Sequence, residues 1–246
     1  GFDKFAAEIK GYSVEWAAAE TGVPADLIRA AAREFSSHRP ATIVHPGRRV
    51  NWYGDDTQRS RAIALLNALL GSYGRKGGLF ISQGMKIAPY PLPKYPEPAK
   101  PRADGADAVQ YPFADEGVTT SIRDATISAK PYPIKGWFVY STNLMQALPN
   151  EAETIKAIQQ LDLLVVCDTV PSEMAGWADV VLPDTTFLER HDELLTGFGR
   201  TGWTSLRQPV VAAPHDQKPA WWIAKQLADK LGVGACMPFK DMEEYL

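Results

Sequence analysis

Two short apolar runs in this 246-residue chain end in the same polar pair. LLVVC is followed by Asp168-Thr169, and DVVLP is followed by Asp184-Thr185. Two further apolar runs end in residues of related chemistry: Ala41 to Val44 leads to His45, Gly47, Arg48 and Arg49, and Trp137 to Tyr140 leads to Ser141, Thr142 and Asn143. A carboxylate accepts paired hydrogen bonds from an N–H and an amino group on one edge of a ring, which is how Asp reads guanine or a pterin. Small hydroxyls and glycines let a phosphate or a ring approach the backbone. Together the four ends describe a cradle for a dinucleotide-like ligand.

Each of these residues also has a plainer reading. Asp-Thr after a strand is a good helix cap or turn former, and either pair alone reads that way first. Asn143 suits an Asx turn, Arg48 and Arg49 suit a solvated pair, and Cys167 suits a small buried hydrophobe. What favours a ligand is four polar ends occurring together. His191-Asp192-Glu193 looks like a catalytic cluster, but consecutive loop side chains seldom converge, so it reads as solvated charge. His38 and His215 lie in polar, exposed-looking contexts. No G-x-S-x-G, Walker loop or G-x-G-x-x-G occurs, which argues against a hydrolase elbow, a P-loop enzyme and an ordinary NAD domain.

The elements that must position these residues follow from pattern. SVEWAAAETGVPADLIRAAAREFSS reads as two helices divided at Gly22, with Pro24 in the first turn of the second. Leu27, Ile28, Ala31, Ala32 and Phe35 form an apolar stripe expected in the core. Ala41 to Val44 reads as a strand, and DTQRSRAIALLNALLGSYG as a helix capped by Asp56 or Thr57 and closed by Gly71 or Gly74. From there WFVY, LLVVC and DVVLP read as strands. Glu151 to Gln160, SEMAGW and PAWWIAKQLADKLG read as helices. The last two strands are apolar throughout, as expected where helices cover both faces of a parallel sheet. The fold class is therefore α/β, a Rossmann-like parallel sheet with helices on both faces. Residues 84–135 are proline-dense and form an excursion or lid between an α/β segment, 1–83, and a Rossmann-like nucleotide-binding segment, 136–246.

Composition narrows the classes. With 45% hydrophobic and 22% charged residues the chain builds one sizeable core, and its net charge of −3 lacks the basic footprint of a nucleic-acid binder. No run reaches the roughly 18 apolar residues of a membrane helix. Cys167 and Cys236 form no C-x-x-C, so the sequence holds no iron–sulfur or zinc motif. Gly1 is not an initiator Met and MPFKDMEEYL stops as a helix opens, which reads as a piece of a longer protein.

In order, TGVPADLIRAAAREFS, HPGRRVNWYGDDTQRSRAIALLNALLGSYGRKGG, VYSTNLMQALPN and LLVVCDTVPSEMAGWADVVLPDTTFLER resemble the central part of the molybdopterin oxidoreductases of the dimethyl sulfoxide reductase family. The most specific element is D-x-x-x-x-E-x-A-x-x-A-D-V-V-L-P, Asp168 to Pro183. Within the family, GRRVNWYGDDTQRSRAIALLNALLG is most similar to the catalytic subunits of thiosulfate and polysulfide reductases. The resemblance implies a bis-molybdopterin guanine dinucleotide cofactor with molybdenum, lying between two Rossmann-like domains. It places Cys167, Asp168, Thr169 and Ser172 on a guanine dinucleotide arm, extended by Asp184 and Thr185. Gly47, Arg48 and Arg49 match the loop on the pterin and metal side, where the arginines would contact the substrate. Asn143 matches a G-x-N-P-like turn, although STNL lacks its Gly and Pro.

The sequence departs from the family in what it does not contain: the cysteine motif for a [4Fe–4S] cluster, the molybdenum ligand and the C-terminal cap barrel. The implied partners are the remaining domains of the same chain, together with an iron–sulfur electron-transfer subunit, and with a membrane anchor subunit. The resemblance implies an exported, membrane-associated complex, and no export signal is visible. By itself the fragment is expected to be inactive. The other readings are the same family acting on formate, an arsenic oxyanion, nitrate or tetrathionate, and a non-catalytic nucleotide-binding scaffold.

Overall fold

A computed structural model describes residues 1–47, 57–106 and 117–246. The chain divides into two units, residues 1–85 with 196–203, and residues 86–195 with 204–246.

The first unit is helical. It holds α1 (Phe2–Glu8), α2 (Val14–Thr21), α3 (Ala25–Ser37) and α4 (Thr57–Leu70). The hydroxyl of Ser13 accepts the Trp16 N–H at 3.0 Å to start α2, and Gly22 in the left-handed region at φ 72° ends it. The expected division at Gly22 is thus present, with Pro24 just ahead of the first turn of α3. Two expectations need correction. The apolar stripe on α3 is not core: Leu27 is 60% exposed, Phe35 40%, and no residue of the helix is buried. α2 packs on α3, but the described residues of this unit do not cover the stripe. Nor is Ala41 to Val44 a strand. Among the described residues it has no strand neighbour, and the backbone groups of Val44 bond to the side chain of Asn67. The cap expected at Asp56 or Thr57 falls at the border of the described residues. Gly71, at φ 68°, follows the last turn of α4.

The second unit opens with a proline-dense run whose Tyr90 ring stacks on Tyr245 at 5.2 Å and meets Phe239 edge-on at 5.9 Å. Within the stretch expected to be an excursion lies a further helix, α5 (Thr119–Ser128). Then follow β1 (Gly136–Tyr140), α6 (Leu144–Ala147), α7 (Glu151–Ile158), β2 (Leu163–Asp168), α8 (Glu173–Trp177) and β3 (Val180–Pro183). Two short strands, β4 (Leu195–Gly197) and β5 (Trp203–Ser205), lie at the ends of the 196–203 segment that belongs to the first unit, and helices α9 (Ala220–Lys230) and α10 (Met242–Tyr245) complete the second. Glu151 and Glu153 in the first turn of α7 and Lys156 in its last suit the helix dipole.

β1, β2 and β3 form a parallel sheet in that order, with Val139 opposite Val166 and Cys167 opposite Leu182. Alternation puts Trp137 and Val139 of β1 on one face with Leu164 and Val166 of β2, and Met145, Ala157, Ile158 and Met174 from α6, α7 and α8 close over them. The indole N–H of Trp137 donates to the Thr126 hydroxyl at 3.2 Å, joining α5 to the same core.

The opposite face departs from the expectation that helices cover both sides. Phe138 and Tyr140 are about half exposed, and α9 stands off from them across a cleft of about 520 Å³ lined by Phe138, Tyr140, Cys167, Trp221, Ile223 and Leu227. On β3, Val180 and Val181 are also half exposed. An apolar run marks a strand, but its length does not say which of its faces is covered.

Leu164 is 1% exposed at the centre of the packed face. Leu164→Ala should lower the unfolding free energy by about 3 kcal/mol, read from the urea midpoint at unchanged slope. A loss below about 1 kcal/mol would mean that this face is not the core.

Candidate cofactor site at the strand ends

β2 and β3 continue to bond beyond their last apolar residues. The Asp184 N–H donates to the Asp168 carbonyl at 3.0 Å, so the two Asp-Thr turns open side by side at the carboxyl edge of the sheet. This adjacency follows directly from parallel pairing in register, with Asp168 opposite Pro183.

The two carboxylates differ in surroundings. Asp168 is half-buried; its Oδ1 accepts the Thr169 N–H at 2.7 Å, and its Oδ2 has a longer contact, the Ser172 hydroxyl at 3.3 Å. Asp184 is buried, with its side chain 2% exposed. Its Oδ1 accepts the Thr185 N–H at 2.7 Å, and its Oδ2 accepts Nη1 of Arg190 at 2.8 Å. Thr185 is buried beside it, and Thr169 is exposed. Asp168 therefore keeps acceptor capacity at an accessible position, while Asp184 and Thr185 are engaged internally.

Arg190 organises the second turn. Besides Asp184 it donates to the Thr185 carbonyl at 2.7 Å, and its Nε donates to Asp192 at 2.8 Å. Arg207 binds the other oxygen of Asp192 and lies over the Phe187 ring. Burial works against the charge of Arg190, yet the Asp192 hydrogen bond and the Asp184 charge outweigh it and raise the guanidinium pKa. Asp192, expected as solvated charge, is thus paired on both oxygens. Sequence reasoning missed Arg190 and Asp192 because the return of the loop brings Arg190 to Asp184 and Arg207 to Asp192.

Cys167 is 1% exposed, and its thiol is pushed up to about 11 by burial and then by the charges of Asp184 and Asp168. It is a neutral, space-filling group. The hydroxyl of Tyr140, at the end of β1, is also raised, by burial and then by Asp184.

Asn143 stands at the N-cap of α6, but its side-chain oxygen accepts no hydrogen bond, so the Asx turn of the plainer reading does not form. Its Nδ2 donates to Glu173 on α8, and Gln146 donates to the other Glu173 oxygen at 2.7 Å. Those bonds, after that of Glu173's own backbone N–H, hold its carboxyl below the usual range. Oδ1 of Asn143 is buried with no donor. Such an acceptor, together with the lightly used Oδ2 of Asp168, suits a ligand that brings N–H donors, as guanine and pterin rings do.

Gly47 belongs to the first unit. Its φ of 72° is left-handed, and its N–H donates to Nδ1 of His45 at 2.9 Å. Arg48 and Arg49 lie outside the described residues. Among the described residues no three His, Cys, Asp or Glu side chains are grouped to hold a metal ion.

A family model described as molybdopterin oxidoreductase matches residues 5–230. The molybdopterin-containing subunit of thiosulfate reductase from Salmonella typhimurium is 37% identical over 99% of this chain and 34% of its own length. One of the subunits of sulfite dehydrogenase from Allochromatium vinosum is 27% identical over 92% of this chain and 30% of its own. In fold, the chain is similar to acetylene hydratase from Pelobacter acetylenicus, with a TM-score of 0.71 at 23% identity, covering 98% of this chain and 37% of that one. The chain thus spans about a third of the length of the relatives it matches.

Arg190→Ala leaves Asp184 buried without its cation and should cost about 2 to 3 kcal/mol, less than a fully buried pair because Arg190 is 20% exposed. Equal denaturation midpoints for this variant and the parent would contradict that role. The raised Cys167 value favours the neutral thiol in the folded state. Its contribution to stability is therefore full below the ordinary thiol value of 9.0 and lost as pH rises through about 11. At mildly alkaline pH, iodoacetamide should modify Cys236 first and reach Cys167 only on unfolding. Equally fast labelling of Cys167 in folded and unfolded protein would refute its burial.

Proposed function

We propose that this chain, which belongs to the molybdopterin oxidoreductase family, forms the part of a longer catalytic subunit that cradles a molybdopterin guanine dinucleotide, and that the intact enzyme reduces thiosulfate or polysulfide. The family implies a molybdopterin cofactor. The observation that carries the substrate is the identity of 37%, over 99% of the chain, to the thiosulfate reductase subunit.

When bound, a bis-molybdopterin guanine dinucleotide supplies molybdenum for two-electron chemistry at sulfur. The residues of this chain bind and orient. Asp168 accepts the paired N–H donors of a guanine, with Thr169 and Ser172 holding its carboxylate in place. Asn143 offers its unbonded Oδ1. Asp184 and Thr185, fixed by Arg190, keep the neighbouring turn at the height of Asp168, and Cys167 fills the space beneath as a neutral thiol. Gly47 gives a backbone that a ring can approach, and Arg48 and Arg49 attract an anionic sulfur substrate. The [4Fe–4S] cluster and the molybdenum ligand would belong to the longer protein. Its complex would add an iron–sulfur electron-transfer subunit and a membrane anchor subunit.

Two measurements test the reading. Guanosine diphosphate should shift the Asp168 and Asn143 resonances of this chain more than adenosine diphosphate does, and Asp168→Asn should abolish the difference. Equal shifts with both nucleotides, or none, would count against the cradle. In the full-length enzyme, Arg48→Ala with Arg49→Ala should lower kcat/KM for thiosulfate by about 10 to 100-fold, the range for a lost charged contact. Unchanged kinetics would remove the arginines from the site.

A further inference from the structure

The run from Ala41 to Val44 has the composition of a strand, and among the described residues no strand pairs with it. One side chain meets its backbone. The Val44 N–H donates to Oδ1 of Asn67 at 2.9 Å, and the Val44 carbonyl accepts from Nδ2 of Asn67 at 2.8 Å. Nδ2 also donates to the Ile63 carbonyl at 3.1 Å. The clamp is itself held: the Asn67 carbonyl accepts the Ser72 N–H at 3.1 Å and the Ser72 hydroxyl at 3.0 Å. Asn67 is 1% exposed and Ser72 is fully buried.

A carboxamide presents a donor and an acceptor on one edge, as a peptide group of an adjacent strand does. Leu in this place would leave both Val44 groups without partners, and an ionised Asp would keep the acceptor but lose the donor. The clamp also sits directly before a turn. Pro46 fixes one φ, Gly47 takes the left-handed one, and the Gly47 N–H closes on His45. The position of Gly47 thus depends on where Val44 is held.

We propose that Asn67 is a positioning residue for the His45–Pro46–Gly47 turn: its carboxamide pairs with both backbone groups of Val44 and so fixes where the turn sits against α4. That the turn meets the cofactor rests on the reading above; that Asn67 holds it does not. The clamp needs the amide rather than mere bulk, because both of its bonds run to one residue.

The test uses Asn67→Leu and Asn67→Asp in the full-length protein, with hydrogen exchange of the peptide spanning residues 41–47 as first readout and the α9 peptide as control. Asn67→Leu should speed exchange in the 41–47 peptide by about tenfold and leave α9 unchanged. In Asn67→Asp, exchange normalised to its intrinsic rate should return toward the parent as pH falls through the carboxyl's own pKa. The protonated acid again donates and accepts; Asn67→Leu should show no such return.

Unchanged exchange over 41–47, an equal rise in α9, or absence of the acid rescue would each overturn the proposal. Molybdenum content per protein, measured for both variants and for Gly47→Ala, separates the two ideas. Loss in all three supports both the clamp and the role of the turn. Selective exchange in the Asn67 variants with full cofactor content throughout would leave the clamp standing and remove the turn from the cofactor site.

Discussion

The hydrogen bond from the Asp184 N–H to the Asp168 carbonyl is the constraint on which the candidate site depends. It extends the pairing of β2 with β3 one step past their apolar residues and brings two polar turns to a common edge. Parallel pairing makes this possible, because both strands deliver their carboxyl ends to the same side. An antiparallel pair would have put the two turns at opposite ends of the sheet. The packed face beneath, built on Leu164, Val166 and Met174, anchors β2, and the parallel ladder carries β3 in register with it.

That shared edge divides labour between residues of the same type. Asp168 stays partly accessible with one loosely used oxygen, whereas Asp184 is enclosed and matched to Arg190. The difference lies in what the following loop returns. Past Asp168 the chain turns at once into α8 through Ser172; past Asp184 it brings back an arginine fixed by a second carboxylate, Asp192. One turn thereby keeps an accessible acceptor, and the other is closed by internal bonds.

Much of this was legible in the residues. Strand positions follow from the apolar runs, and the adjacency of the two Asp-Thr pairs follows from short connections between parallel strands. Gly22 marked a helix end because only a left-handed residue closes it there. What stayed hidden depends on contacts distant in sequence. The apolar stripe of α3 has the right spacing for a core, but spacing cannot say what covers it. Val44 looked like a strand residue because its composition is that of one; the partner proved to be the side chain of Asn67, 23 residues on. The pairing of Arg190 with Asp184 and Asp192 was hidden for another reason: its partners are near in sequence, but loop charges give no sign of which way each side chain turns.

The first unit is discontinuous, and this has a consequence for how the chain is made. Its two parts meet where Gln83 and Gly199 exchange backbone hydrogen bonds at 2.9 and 3.2 Å, and the entire parallel sheet lies between them in sequence. During synthesis the sheet emerges before Gly199 does, so its strands can pair while the first unit is still unfinished. Closing so long a loop is entropically cheaper once the intervening chain is compact. The connectivity therefore lets the sheet pair first, while the helical unit can be completed only when residues 196–203 return to it.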